Sequence, residues 1–281
     1  FEYFYQSQAA APFLYNDFHK FLEASQPDVI HFHHTMRIGL EALAIARKAA
    51  PQAKIIYTLH EYIFICNHNG QMVRTQDRAL CDHASPARCH GCFPEISSQQ
   101  FLMREQFIKS HLHYVDRFIA PSQFLADRFV AWGLDKDKIT VLENGRQVTE
   151  PAPFRSETKK RNVFGYFGQI NPYKGALLAL EAVELLLKGG FKDFKLEIFG
   201  NAELQSEDFR QEFDDFLRRN KDYVTFHGKY KSEEMPQLME KVDWVLVPST
   251  WWENSPLVIQ EAFMHKRPII SVSYTHLTLP T

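Results

Sequence analysis

Cysteine is scarce: four in 281 residues, too few for a disulfide scaffold in a chain of this length, so a reducing cytoplasm is expected. Long apolar runs are missing too. No stretch of about 18 apolar residues occurs, so no bilayer-spanning helix is expected. Charge of one sign is also lacking. Lys and Arg number 32 against 34 Asp and Glu, a formal net charge of −2, which excludes a global field that would recruit nucleic acid or an anionic membrane. At most peripheral membrane contact is expected. The opening, FEYFYQSQAAAPF, carries neither Met nor a basic segment followed by an apolar one. It is read as the interior of a longer chain rather than a signal peptide. What is abundant is core material: 45% hydrophobic residues, with 24 Phe and 11 Tyr. The length suggests roughly two domains.

Strand and helix signals alternate. Short apolar runs at Asp28–His33, Lys54–His60 and Arg117–Ser122 read as strands. MRIGLEALAIARKAA lies between the first two at helical spacing. A further helix is expected over Ser98–Val115, with Phe101, Ile108, Leu112 and Val115 on one face. Another follows Ser122 as N-cap. TEPAPFRSETKKRN (Thr149–Asn162) has prolines, clustered charge and no periodicity, which reads as a connector. The expected domains are 1–150 and 162–272, joined by 151–161. In the second, strands are expected at Asn162–Gly168, Phe194–Gly200, Val224–Gly228, Asp243–Ser249 and Pro268–Val272. Helices are expected over GALLALEAVELLLKGG, Glu203–Asn220, Ser232–Lys241 and Pro256–His265. Continuous apolar strands suit a parallel sheet buried on both faces, so the fold class is α/β with two open βαβ domains. The tail SYTHLTLPT (Ser273–Thr281) has no place in the pattern and reads as non-native.

Two strand–loop–helix units of the second domain carry the candidate chemistry. After DWVLVPS comes STWWENSPLVIQEAF, with Ser255 read as N-cap and Pro256 as first helical residue. In open α/β sheets ligands bind at the carboxyl edge of the strands, and uncapped amides at a helix start favour phosphate. Glu253 precedes this helix and Glu261 lies about five residues into it. Upstream, GQINPYKGALLALEA puts Lys174 before a second helix, where it suits a phosphate oxygen. Gly175 lets the backbone turn closely.

These segments resemble family 4 of the glycosyltransferases, which have the GT-B fold of two Rossmann-like domains. The family's G-R-x4-K-G loop reads here Gly168-Gln169-INPY-Lys174-Gly175, and its E-x7-E segment reads Glu253-NSPLVIQ-Glu261. The resemblance implies that Lys174 binds the donor diphosphate and that Glu253 contacts sugar hydroxyls. The backbone of Asn254, Ser255, Pro256 and Leu257 would support sugar and phosphate, and Glu261 would hold the ribose. Gln169 stands where the family has Arg; without that charge, rate should fall more than binding. In the first domain VIHFHH (Val29–His34) and YTLHEYIFICNHNG (Tyr57–Gly70) resemble acceptor-side strands of the same family, and LENGRQ (Leu142–Gln147) resembles the turn that closes its first domain. By resemblance His60 faces donor phosphate and sugar as a catalytic-site donor, while His33 is read as structural. The resemblance covers nearly all of Asp28–Val272 and lacks both ends of the family's fold.

The activity so implied is sugar transfer from a nucleotide-sugar donor to a hydroxyl of a carbohydrate or lipid-linked acceptor, with retained configuration and no catalytic metal. The cytoplasm, or the inner membrane face, is the expected setting. An epimerase or phosphorylase on the same fold, or a non-catalytic nucleotide-sugar-binding module, are the rival readings. Finally, Cys66, Cys81, Cys89 and Cys92 cluster in a Cys-rich insert at 66–92 of little apolar content. The x2 spacing of the last pair predicts a structural metal, zinc by preference. His68, His83 and His90 are possible substitutes as ligands. Reduced or paired cysteines and an iron–sulfur cluster are the alternatives.

Overall fold

The structure, a computed structural model, describes residues 1–8, 12–153, 160–203 and 205–271. The tail at 273–281 and the middle of the connector lie outside the described residues. The chain divides into two compact units, 1–144 and 145–281.

In the first unit β1 (Val29–Phe32), β2 (Lys54–Thr58), β3 (Arg117–Ala120) and β4 (Ile139–Val141) form a parallel sheet in that order. Five helices serve as crossovers and cover among the described residues: α1 (Pro12–Ser25), α2 (Glu41–Ala49), α3 (Pro86–Cys92), α4 (Ser98–Leu112) and α5 (Gln123–Trp132). The helix expected over Ser98–Val115 ends at Leu112, and its four spaced apolar residues are all buried. Ser97 and Gln100 close a capping box at its start. Ser122 caps α5 through Leu125 N at 3.2 Å. Arg104 of α4 is buried with its guanidinium donating to the carbonyls of Phe4, Phe64 and Ile63 at 2.7, 2.8 and 2.7 Å. One long side chain thereby ties the opening segment and the chain after β2 to the same helix.

The second unit contains β5 (Val163–Phe167), α6 (Ala176–Lys188), β6 (Lys195–Phe199), α7 (Glu207–Arg219), β7 (Val224–Gly228), α8 (Met235–Glu240), β8 (Trp244–Val247), α9 (Leu257–Met264) and β9 (Ile269–Ser271). Its parallel sheet has the order β7-β6-β5-β8-β9. Neighbouring residues on each strand feed opposite cores. Tyr166 and Ile198 pack with Leu180, Val183 and Phe213 of α6 and α7. Phe167 and Phe199 pack with Met239, Val245 and Ile259 on the other face. Burial on both faces is why these strands read as continuous apolar runs.

The start of the stretch expected to be a free connector is anchored in this unit. Ala152 is buried and its N–H donates to His265 Nδ1 at 3.0 Å. Buried Arg267 donates to the Pro153 carbonyl at 2.8 Å and to the carbonyls of Met239, Val242 and His265.

Candidate functional site

Strand order reverses in the second unit at β5 and β8, which pair with each other while their chain successors go to opposite sides. A doubly wound sheet binds ligands outside the carboxyl ends of the strands at such a switch point. The loops leaving those two strands carry Lys174 and Glu253.

The β5 loop is shaped by Asn171, whose Oδ1 accepts from the N–H groups of Tyr173 and Lys174 at 3.0 and 2.8 Å. That side-chain turn delivers Lys174 to the start of α6. Gly175 caps α6 at φ +73°, and a Cβ there would fall on the Pro248 carbonyl. Only glycine lets the loop lie this close to the chain leaving β8. The Tyr173 carbonyl accepts from Thr250 N at 2.8 Å, locking the two loops together. Gly168 and exposed Gln169 precede this turn; the Gln169 carbonyl accepts from Tyr166 Oη at 2.8 Å.

Glu253 is buried, and Lys174 Nζ reaches both its oxygens at 2.7 and 2.9 Å. Ser249 Oγ at 2.6 Å and Trp251 Nε1 at 2.9 Å also donate to Oε1. Lys174 Nζ lies 5.1 Å over the Trp251 ring, which stacks on Tyr173. Burial and the nearby Glu253 carboxylate push the Tyr166 phenol far above its ordinary range. Glu261 is buried on α9 and pairs with Arg146. Lys174 and Glu253, and Arg146 and Glu261, are thus paired with opposite charge.

The helix starts need one correction. Ser255 does not cap α9: the helix begins at Leu257 with Pro256 at the cap position, ψ +110°, and no side-chain cap bond. Asn254, Ser255 and Pro256 form the loop, half-buried, with Leu257 as the first helical residue. Gly175 likewise offers no side-chain cap to α6. The first amides of both helices are therefore without side-chain acceptors, the condition under which a helix start favours an anion.

In the first unit His60 follows β2 and meets His33, which follows β1, at 3.0 Å between Nε2 and Nδ1. Burial first, then the neighbouring His34, His33 and His31, hold His60 below the ordinary histidine value. Burial raises the Glu61 carboxyl, which His34 approaches at 3.3 Å.

The four-thiolate metal set is not formed. Cys66, Cys81, Cys89 and Cys92 form no disulfide and are partly exposed. Among the described residues no three His, Cys, Asp or Glu side chains gather as a group able to hold a metal ion. His68 and His90 are turned to the carbonyls of Val73 and Ile96 at 2.9 and 2.8 Å. The insert is held otherwise. Met72 and Val73 are buried, Val73 bridges Leu80, Thr75 Oγ1 donates to the Cys92 carbonyl at 2.6 Å, and Ser85 caps α3. Burial pushes the Cys89 thiol up to about 11.

Sequence reasoning missed Asn171, Ser249, Trp251 and Arg146. Asn171 had a signal, an Asn two residues before Tyr-Lys-Gly in a post-strand loop. Arg146 had none, because its partner is remote in sequence.

A doubly wound parallel unit with paired charges and uncapped helix starts at its switch point defines an open α/β protein with its candidate site at the carboxyl edge of the sheet. The family follows from comparison: residues 2–150 match the model described as Glycosyltransferase Family 4, and residues 161–278 match that of Glycosyl transferases group 1. The chain belongs to glycosyltransferase family 4. Its fold is that of solved GT-B proteins. One is Anabaena Alr3699/HepE in complex with UDP and glucose (19% identity, TM-score 0.64, 94% of this chain and 64% of that one). Others are a glycosyltransferase from Rickettsia africae (16%, TM-score 0.64, 94% and 64%) and sucrose-phosphate synthase from Thermosynechococcus elongatus (15%, TM-score 0.62, 92% and 59%). The chain thus spans about two thirds or less of the length of these structures. No curated protein matches it. No described helix is long and apolar enough to cross a membrane.

Proposed function

We propose that the protein transfers a hexosyl group from a nucleoside diphosphate donor to an acceptor hydroxyl, with retained configuration. The observation that carries this reading is the meeting of Lys174 and buried Glu253 with two uncapped helix starts at the β5/β8 switch point. UDP complexes of a structural neighbour support the donor class.

In this reading Lys174 leaves Glu253 for the diphosphate, and the N–H groups of α6 and of Asn254, Ser255 and Leu257 donate to its oxygens. Negative charge grows on the diphosphate as the C1–O bond breaks, so fixed donors there act on the transition state. Glu253 then accepts from sugar hydroxyls and Glu261 from the ribose. With Lys174 gone, a carboxylate still taking bonds from Ser249 and Trp251 and accepting from sugar hydroxyls is a poor nucleophile, which favours direct displacement in which a departing phosphate oxygen takes the acceptor proton. His60 donates to donor phosphate or sugar. A nucleotide-sugar donor places the reaction in the cytoplasm, at the inner membrane face where the acceptor is lipid-linked.

A thermal-shift panel of UDP-, GDP- and ADP-sugars on the full-length protein tests this. One nucleotide class should raise Tm by several degrees and support sugar release to an acceptor. No shift with any class overturns the donor assignment. A shift without transfer favours the non-catalytic reading, for which uncharged Gln169 is the supporting observation.

A further inference from the structure

Glu253 divides its donors unequally between its two oxygens. Oε1 accepts from Ser249 Oγ at 2.6 Å, from Trp251 Nε1 at 2.9 Å and from Lys174 Nζ at 2.7 Å. Among the described residues Oε2 takes one donor, Lys174 Nζ at 2.9 Å. Ser249 and Trp251 belong to the same loop as Glu253, between β8 and α9. Their bonds therefore do not depend on where Lys174 is. The indole is braced as well, because its ring stacks on Tyr173 with centroids 5.8 Å apart at 17°.

An ionised carboxyl oxygen offers about two acceptor positions. With Lys174 drawn away, Ser249 and Trp251 fill those of Oε1. Oε2 is then left with no donor from the described residues. The Glu253 side chain is 6% exposed, so bulk water is a poor replacement, and a charged oxygen without a donor is costly at such a place. A ligand that takes Lys174 must therefore bring a hydroxyl to Oε2. It cannot grip the carboxylate through both oxygens, as a vicinal diol otherwise could, because Oε1 is already filled.

We propose that Ser249 and Trp251 are positioning residues that hold Oε1 and thereby make Oε2 the single oxygen through which Glu253 reads the donor sugar. The sugar class that fits is one presenting its donor hydroxyl to one atom rather than a pair of neighbouring hydroxyls to two. This rests on the transferase reading, in which the ribose hydroxyls go to Glu261 and leave Oε2 to the sugar.

The test uses the full-length protein with UDP, GDP and ADP and the glucose conjugate of each, keeping the base that binds the wild type. Failure of all of them to bind overturns the transferase reading and this inference with it, before any variant is made. The first measurement is hydrogen exchange of the Trp251 indole N–H by 1H–15N NMR, its signal assigned by its loss in Trp251→Phe. The N–H should be protected in the free protein and stay protected with the sugar conjugate bound. Loss of protection on adding the conjugate, with the bare diphosphate as control, means that the sugar has taken Oε1 and overturns the proposal. The second measurement is calorimetry. Ser249→Ala should weaken the sugar conjugate roughly 3–10-fold while changing the bare diphosphate less than about twofold. Ser249→Thr keeps the hydroxyl and should restore the difference between the two ligands. Equal weakening of both ligands in Ser249→Ala would assign Ser249 a merely structural role and also overturns the proposal.

Discussion

The two units end their strands in different chemistry. At the carboxyl edge of β5 and β8 the side chains are ions, each matched by one of opposite sign: Lys174 with Glu253, Arg146 with Glu261. At the carboxyl edge of β1 and β2 they are imidazoles, stacked and sharing hydrogen bonds. Two parallel sheets therefore end in two kinds of edge. The first is suited to exchanging ion pairs for a polyanion. The second is suited to placing neutral hydrogen-bond donors and acceptors. Burial explains the contrast: a buried carboxylate such as Glu253 must be paired, whereas an imidazole can respond by staying neutral.

The contrast is broken most forcefully at Gly175. Gly175→Ala puts a methyl group on the Pro248 carbonyl at φ +73° and should cost about 3 kcal/mol of stability. Urea unfolding followed by a probe in the second unit checks this; a loss below about 1 kcal/mol would mean that the two loops are not locked. Next is Lys174→Met, which removes a charge-assisted partner worth about 1.5–3 kcal/mol. Nucleotide binding by calorimetry should weaken roughly 10–100-fold, and added salt should matter less than in the wild type. Equal affinity would show that Lys174 does no more than neutralise Glu253.

The smallest effect is on pH. His31 and His60 have proton affinities below the ordinary value of 6.5 in the folded state. The unfolded chain binds protons more readily at these two rings, so their contribution to the stability of the first unit is complete above about pH 6.5 and is lost as pH falls below it. The loss should be about 1 kcal/mol or less, because both rings are partly solvated. Comparing urea midpoints at pH 7.5 and 5.5 in wild type and His60→Gln measures it. An equal drop in both would assign the effect elsewhere, for instance to His265, which burial also holds low.

Most elements legible in the sequence had a buried face; β9 was legible from its apolar run although none of its residues is buried. β2, β5, β6 and β8 announced themselves because their residues feed cores. α1 did not, since Leu22 is its buried residue while Phe13, Leu14 and Phe21 are exposed. β4 escaped because it is a three-residue edge strand with no buried position. In the site, Lys174, Glu253 and Glu261 were singled out by their place after strands together with the family resemblance; the structure puts Lys174 and Glu253 in the loops leaving β5 and β8 and Glu261 within α9. Their pairing was not legible, because Lys174–Glu253 and Arg146–Glu261 each join residues far apart in the chain. The cysteine pattern misled for a related reason. Spacing shows that four thiols are near in sequence, and says nothing of whether the chain between them, anchored by Met72 and Val73, turns them toward one point.

Gly175 against Pro248, with Thr250 bonded to the Tyr173 carbonyl, makes the loops after β5 and β8 one mechanical part. The conformational cost of arranging them falls on folding rather than on ligand capture, which favours a rapid, lock-like encounter over slow rearrangement. It also sets a rule for anyone redesigning the donor preference. A loop taken from another enzyme will not seat alone; the segments after β5 and β8 have to be transplanted as a matched pair.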